Sequence, residues 1–322
     1  MPKASSKVTK PAKPAAKAKS TGPRYELDDH VIEISHPDRI VFPDLGIPKA
    51  EVVAYYARVA ELMLPELRDR ALSMERFTKP VDQGGFFQKH AQKHYPEWIE
   101  RVELGSKTVV EYPIANTAAA LVYFANQGGV AFHLWTSRAS APDKPDVIVF
   151  DLDPPDATKF DLVRKVAVLL HDLLDELALP TFVKVTGSKG LHVVVPIDGR
   201  ATFEESHRLV GGVAKLICER YPDLVTQEFY KKDRNGRLFF DTGRNNMGAT
   251  FVAAYSLRGR PGAPISAPIT WPEVEDPALK PNGIRLRDFE ARFAANGDPW
   301  YGFRTTLGSV SKALQKLAKL TA

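Results

Sequence analysis

The sequence predicts a mixed α+β protein, and three observations predict it. Short apolar runs rich in Val, Ile and Phe recur between turn residues at 147–150, 181–185, 193–196, 238–240 and 251–257, and these read as strands. Longer segments carry apolar residues at three- and four-residue spacing at 49–64, 115–126, 160–179 and 202–221, and these read as helices. Hydrophobic residues make up 44% of the 322, enough for a sizeable core. We expect a basic disordered arm over 1–23, an α/β lobe over 24–140, and a catalytic module over 141–322 that closes with a helix near 307–320.

The arm is mostly Lys, Ala, Pro and Ser without apolar periodicity. Its six lysines outweigh the whole formal charge of +5, so the folded body is close to neutral. Any affinity of the body for nucleic acid must therefore come from local patches, with the arm holding DNA loosely. The single cysteine, Cys218, excludes an internal disulfide and a multi-cysteine zinc site. No stretch has the apolar length of a membrane span and no signal segment opens the chain, so a cytoplasmic monomer without a membrane partner is expected.

In the first lobe, turn formers between Ile34 and Lys49 lead into the 49–64 helix, whose Val52, Tyr56, Val59, Leu62 and Met63 share a face. Lys49 falls in the first turn, where a cation opposes the helix dipole. Arg76 and Phe77 open a glycine-rich stretch that carries Phe86, Phe87, Lys89, His90, Lys93 and His94. Aromatics interleaved with bases suit stacking on nucleobases and holding phosphates. The bland reading is that one phenylalanine is core; even so, neighbours on a strand face opposite ways, so one of Phe86 and Phe87 should be free to stack. His133 follows the 115–126 helix, and 139–146 reads as a linker.

The chain is organised around 147–155. Asp151 and Asp153 follow four apolar residues, and side chains two apart on a strand point the same way. Two close carboxylates repel unless a cation lies between them, and such oxygen sites suit Mg²⁺ or Mn²⁺. Pro154 and Pro155 end the pairing. Downstream, the stretch from Thr186 to His192 is a basic glycine turn between two strands. Glycines let backbone N–H groups approach phosphate oxygens, and Thr186, Ser188, Lys189 and His192 add side-chain donors. A strand follows rather than a helix, so this is no Walker loop. Thr202 and Glu205 form a capping box ahead of the 202–221 helix. Asn235 and Gly236 give a hairpin signal before 238–240, and Asp241 ends that strand as Asp151 ends its own. Three strand-end aspartates, a basic turn and Arg258 describe a two-metal phosphoryl-transfer site.

The motifs VFDLDP at 149–154, TGSKGLHVVVP at 186–196, Asp241 and AYSLRGRPGAP at 254–264 resemble the polymerase domain of bacterial ligase D, in the archaeo-eukaryotic primase superfamily. GFFQKH at 85–90 and HPDRIVFP at 36–43 match as well, so the resemblance covers about residues 30–310. It implies a primase-like fold: a mostly antiparallel catalytic sheet with helices on one side and an N-terminal α/β lobe. It also implies a template-dependent nucleotidyltransferase that fills short gaps or extends DNA ends, often with ribonucleotides and Mn²⁺. By that similarity Asp151, Asp153 and Asp241 hold two Mn²⁺ or Mg²⁺ ions. Thr186, Ser188, Lys189, His192, His133, Arg258 and Arg76 hold the incoming NTP or dNTP, and Phe87 stacks on its base. Arg39 and Lys49 hold a downstream 5′-phosphate, with Phe86, Lys89, Arg234 and Arg244 near the DNA. His36 and Arg39 stand where the family often has Asn and Lys, and Thr186 where Ser is common.

The implied partners are gapped or broken DNA, a separate DNA ligase and Ku, at the bacterial nucleoid. No ligase or nuclease domain is fused here, which leaves gap filling in excision repair as an alternative to end joining. Two other classes remain. One is a phosphatase or phosphotransferase with Asp151 as nucleophile, against which Pro154, Pro155 and the basic turn argue. The other is a non-catalytic DNA-end binder, against which the three aspartates argue.

Overall fold

A computed structural model describes residues 22–105, 108–156 and 158–321; the arm, apart from Gly22 and Pro23, lies outside the described residues. Two sheets face each other. The larger has six strands in the order Val225–Thr226, Leu238–Asp241, Val147–Asp153, Leu191–Pro196, Phe182–Val185 and Pro268–Ile269. Every neighbouring pair is antiparallel except the first, which is parallel. The smaller is antiparallel, in the order Thr250–Val252, Gly129–Trp135, Leu72–Arg76 and Phe86–Gln88. This is the mixed, mostly antiparallel architecture expected.

Helix Phe160–Glu176 packs on the central strands Val147–Asp153 and Leu191–Pro196. Its Val163, Val166, Leu170 and Leu173, three or four apart, are all buried. Helix Phe203–Arg220 starts at the predicted capping box, with Thr202 accepting from the Glu205 N–H and Glu205 from the Thr202 N–H. Helices Lys49–Leu67 and Ala118–Asn126 pack on each other, and the second also lies on Gly129–Trp135. The central strand runs on through Asp153, because Asp151 and Leu152 still have partners on both sides.

One core joins the two halves of the chain. Thr250–Val252 crosses back to pair with Gly129–Trp135. The buried Tyr56 hydroxyl donates to the Val130 carbonyl (2.6 Å) and accepts from the Leu257 N–H (2.9 Å), while Tyr55 donates to the Tyr255 carbonyl (2.6 Å). Just before the central strand, Asp146 accepts from Arg70 (2.7 Å), Arg138 (2.8 Å) and Arg304 (3.2 Å), and Arg304 also reaches Glu66 (2.5 Å). Burial raises the Asp146 carboxyl, but the three guanidiniums outweigh it and hold it below its ordinary range. This charge cluster fixes the start of the strand that carries the aspartates.

Three sequence expectations give way. The 139–146 segment, read as a linker, contains the strand Ala141–Pro145, which pairs antiparallel with Ser137–Arg138. Asn235 and Gly236 do turn with left-handed φ of 51° and 75°, yet no hairpin forms there. The preceding strand, Val225–Thr226, runs parallel to Leu238–Asp241, with a short 3₁₀ turn at Lys231–Asp233 between them. Turn chemistry sets the local dihedrals and leaves the distant pairing open. The expected 251–257 strand stops at Val252, because the chain turns at Tyr255, which has a φ of 63°.

Candidate active site

Register brings the predicted groups into one row. Asp241, Asp151, His192 and Lys184 lie side by side on four adjacent strands of the larger sheet. Asp153, two residues on from Asp151 and opposite Phe239, shares that face. The row opens on a cleft lined by Asp151, Asp153, Thr186, Ser188, His192 and Arg258. His133 from the smaller sheet and Arg244 complete the wall, beside Phe251 and Val252.

The glycine turn is tightly built. Thr186 spends its hydroxyl within the turn, donating to the Gly190 carbonyl (3.1 Å) and accepting from the Gly190 N–H (3.2 Å). A side chain at Gly190 would collide with the Leu152 carbonyl and lie 2.8 Å from the Asp153 carboxylate. Gly187 has a φ of 65°, and a side chain there would meet Arg258 and the Ile265 carbonyl, each at 2.8 Å. Arg258 Nη1 donates to the Thr186 carbonyl (2.8 Å), which aims the guanidinium into the cleft.

The electrostatics are uneven. Asp151 is 6% exposed, and its oxygens meet His192 Nε2 at 3.3 Å and Arg244 Nε at 2.9 Å. Burial alone would raise its carboxyl, but His192 and Arg244 hold it below its ordinary range. Asp153 is pushed up to about 6, first by burial and then by Asp151. His192 is lowered to about 4 by burial and by Lys184, so its contact with Asp151 is a hydrogen bond from a neutral ring rather than an ion pair. His133 falls well below its ordinary range through burial and Arg258. His133 Nε2, His192 Nδ1 and Arg258 Nε are buried with no protein partner. Buried polar atoms of this kind normally have one.

Asp151 and Asp153 are an all-oxygen pair with one carboxylate lacking compensation, which fits a hard divalent cation. Asp241 is in register with Asp151, but its carboxylate accepts from the Gly243 N–H (2.7 Å). Among the described residues, no three His, Cys, Asp or Glu side chains converge as a ready ligand set. That bond occupies Oδ1 and leaves Oδ2 as the oxygen that could join the pair.

Other predicted residues fall in several places. Phe87 lies edge-on to His133 at 4.8 Å, at the rim of the cleft. Phe86 and Phe87 are both about half exposed, so neither is core; Phe86 is covered by the Arg76 guanidinium at 5.6 Å. Their strand, Phe86–Gln88, is the outer one of its sheet, with one edge unpaired. Arg76 is not brought to the cleft: it donates to the Gln127 carbonyl (2.9 Å) and to Gln88. Lys89 is exposed, and Lys189 is exposed near Asp153, whose carboxyl it pulls down. Arg234 stacks over Phe239 at 4.1 Å on a surface loop. Lys184 was missed by the sequence reading. It is fully buried behind His192 and donates to Ser266 (2.6 Å). Its one signal was a lysine inside an apolar strand.

A family model described as LigD, primase-polymerase domain, matches residues 48–300. The chain belongs to this family. It is 34% identical over 260 residues to the multifunctional non-homologous end joining protein LigD of Mycolicibacterium smegmatis, covering 80% of this chain and 34% of that protein. It is 32% identical over 291 residues to the Pseudomonas aeruginosa protein of the same name, covering 88% of this chain and 34% of the relative. The chain thus spans about a third of the length of these relatives. A solved structure, the polymerase domain from Mycobacterium tuberculosis ligase D in complex with DNA, superposes with a TM-score of 0.81 at 31% identity. That match covers 86% of this chain and 99% of the other.

Away from the cleft, this LigD-type primase-polymerase domain brings Arg39 and Lys49 together, as the turns between them suggested. The Lys49 N–H donates to the Arg39 carbonyl (2.8 Å), and Lys49 Nζ donates to the Ser35 carbonyl (2.6 Å) and hydroxyl (2.9 Å). Lys49 is lowered to about 8, by burial and then by Arg39. Burial lowers Arg39 too, and its buried Nη1 has no partner. No helix is long and apolar enough to cross a membrane among the described residues.

Proposed function

We propose that this chain is a template-directed nucleotidyltransferase that extends DNA ends or fills short gaps during break or gap repair, with ribonucleotides favoured over deoxynucleotides. The observation that carries the reading is the carboxylate row of the larger sheet facing unpartnered donors across one cleft. Membership of the LigD family and the likeness to a polymerase domain solved with DNA support it.

Asp151 and Asp153 would hold Mn²⁺ or Mg²⁺, with Asp241 as third ligand through its Oδ2. Two such ions would neutralise the triphosphate and activate the 3′-hydroxyl for in-line attack. Arg258 Nε–H and His133, in the tautomer that carries the proton on Nε2, each present a donor with no protein partner that would meet triphosphate oxygens as they enter, while His192, whose Nε2 faces Asp151, would position that carboxylate. Ser188 and the N–H groups of the turn bring further donors to the same oxygens, and Lys189 brings charge. Phe87, exposed at the rim, offers a face to the nucleobase. Arg244 frees the second oxygen of Asp151 when it moves from the carboxylate to a phosphate.

Arg39 and Lys49 form the pocket for the 5′-phosphate of the downstream strand: two adjacent cations, partly or wholly buried, with no carboxylate paired to either among the described residues. A terminal phosphate carries more charge than an internal diester. The arm would add loose DNA affinity, and a separate ligase and Ku would be the protein partners, in the cytoplasm at the nucleoid. The test is primer extension on a gapped duplex, with ribo- against deoxynucleotides and Mg²⁺ against Mn²⁺. Templated addition with at least one metal is expected. No addition with either metal, while phosphate is released from a monoester substrate, would put a phosphotransferase in its place.

A further inference from the structure

Next to the carboxylates stands a feature that the polymerase reading leaves unused. Phe239 is the cross-strand partner of Asp153 and lies on the carboxylate face of the sheet. From it a chain of rings runs outward: Phe229 stands edge-on to Phe239 at 6.2 Å, and Tyr230 stands edge-on to Phe229 at 5.5 Å. Phe229 is 71% exposed and Tyr230 65%. Two adjacent aromatics this open to water leave most of their ring surface unused by these edge contacts, and exposed apolar groups set close together mark interaction sites.

The loop that presents them is constructed. The Arg234 guanidinium lies 4.1 Å over Phe239 and donates to the carbonyls of Glu228 (3.0 Å) and Phe229 (2.6 Å). Arg237 donates to the Arg234 carbonyl (2.9 Å), and the Lys231–Asp233 turn joins Tyr230 to Arg234. One arginine therefore ties the backbone under Phe229 to the strand that carries Asp241. Lys231 and Lys232 are exposed beside the rings, and cations exceed acids across 228–237.

We propose that Phe229 and Tyr230 form a stacking platform for unpaired bases of the DNA strand beside the reacting end, with Lys231 and Lys232 holding its phosphates. Bare rings among cations suit single-stranded nucleic acid, because every base has a face to stack and every linkage a charge. A duplex offers neither ring a free base, so the platform distinguishes a single-stranded overhang from a paired end. Arg234 is a positioning residue for the platform. The inference rests on the reading of this chain as a DNA polymerase, and the measurements below separate the two.

The full chain and its Phe229→Ala/Tyr230→Ala variant are compared by fluorescence anisotropy at fixed salt. The probes are a labelled duplex with a 3′ single-stranded overhang and its blunt counterpart. Both rings are mostly exposed, so the substitutions should leave the thermal unfolding midpoint in place. The double change should lower affinity for the overhang roughly tenfold or more, leave blunt-end affinity unchanged, and leave the salt slope unchanged because the lysines remain. As a second readout, Tyr230→Trp should keep overhang affinity, and its indole fluorescence should be quenched by a short single-stranded oligonucleotide. Equal affinities in parent and double variant, equal losses on both probes, or an unquenched Tyr230→Trp would overturn the platform. Templated extension by a parent that gives any of these results leaves the polymerase reading standing. A discriminating platform on a chain that adds no nucleotide sinks that reading and keeps the platform.

Discussion

The cleft between the sheets and the Arg39–Lys49 pocket are both charged sites, and they differ in what compensates the charge. In the cleft the protein supplies its own counterions. Asp151 has a partner on each oxygen, Asp241 is held by a backbone N–H, and only Asp153 is left to rise to about 6. In the pocket two cations sit together and, among the described residues, no carboxylate pairs with either; Lys49 has only the oxygens of Ser35. Burying like charges without a counterion is costly. The cleft therefore has a resting state that its own residues stabilise, whereas the pocket proposed for the 5′-phosphate would take its counterion from outside. On that proposal the first site rearranges to work and the second is ready to bind.

The strongest way to break the comparison is Asp153→Ala. It removes the uncompensated carboxylate, and nucleotide addition should fall at least about a hundredfold, since charge stabilisation of the reacting group is lost. The fold should survive, because the side chain faces the cleft. Addition at near the parent rate, measured by primer extension, would show that the carboxylates do not form the reaction centre.

Next in size is the pocket. The Arg39→Ala/Lys49→Ala change should abolish a preference, expected at about tenfold or more, for a gapped duplex with a downstream 5′-phosphate over the same duplex with a hydroxyl. Addition to a primer with no downstream strand should be retained. A preference that persists in the double variant places the phosphate elsewhere.

The same pocket should respond to pH in a definite direction. Lys49, lowered to about 8, is charged below that value and neutral above it. The 5′-phosphate preference should hold at pH 7 and decline by about threefold to tenfold by pH 9, with the remainder carried by Arg39. Competition binding across that range checks the sign. A preference that strengthens with pH contradicts the assignment of Lys49.

The smallest effect sharpens the contrast from the other side. Arg244→Gln removes one of the two groups that occupy Asp151. Without nucleotide, Mn²⁺ should then bind a few-fold more tightly, because a competing cation next to the carboxylate is gone. Titration followed by electron paramagnetic resonance reads this directly. Unchanged or weaker Mn²⁺ binding would mean that Arg244 does not compete with the ion.

What could be read from the sequence was what local chemistry decides. The period of the 160–179 segment, the Thr202–Glu205 box, the glycines at 187 and 190, and the two aspartates after an apolar run each act within a few residues. Each appears where it was expected. The motif order was enough to place the chain in its family. The tertiary structure decided everything that depends on strands far apart in the chain. Asp241, Asp151, His192 and Lys184 form a row only because of the sheet order, and Lys184 joins the site from within a strand that reads as plain core. Arg244 reaches Asp151 across 93 residues, Arg76 is diverted to Gln88 and Gln127, and Asn235–Gly236 turns without making a hairpin. Local propensity fixes dihedrals and periods, whereas register and long-range pairing are settled by burial of the whole core. That is why the sequence could point to residues that the fold gathers around one cleft, Asp151, Asp153, His192 and Arg258 among them, and could not say which of its charges the protein itself would neutralise.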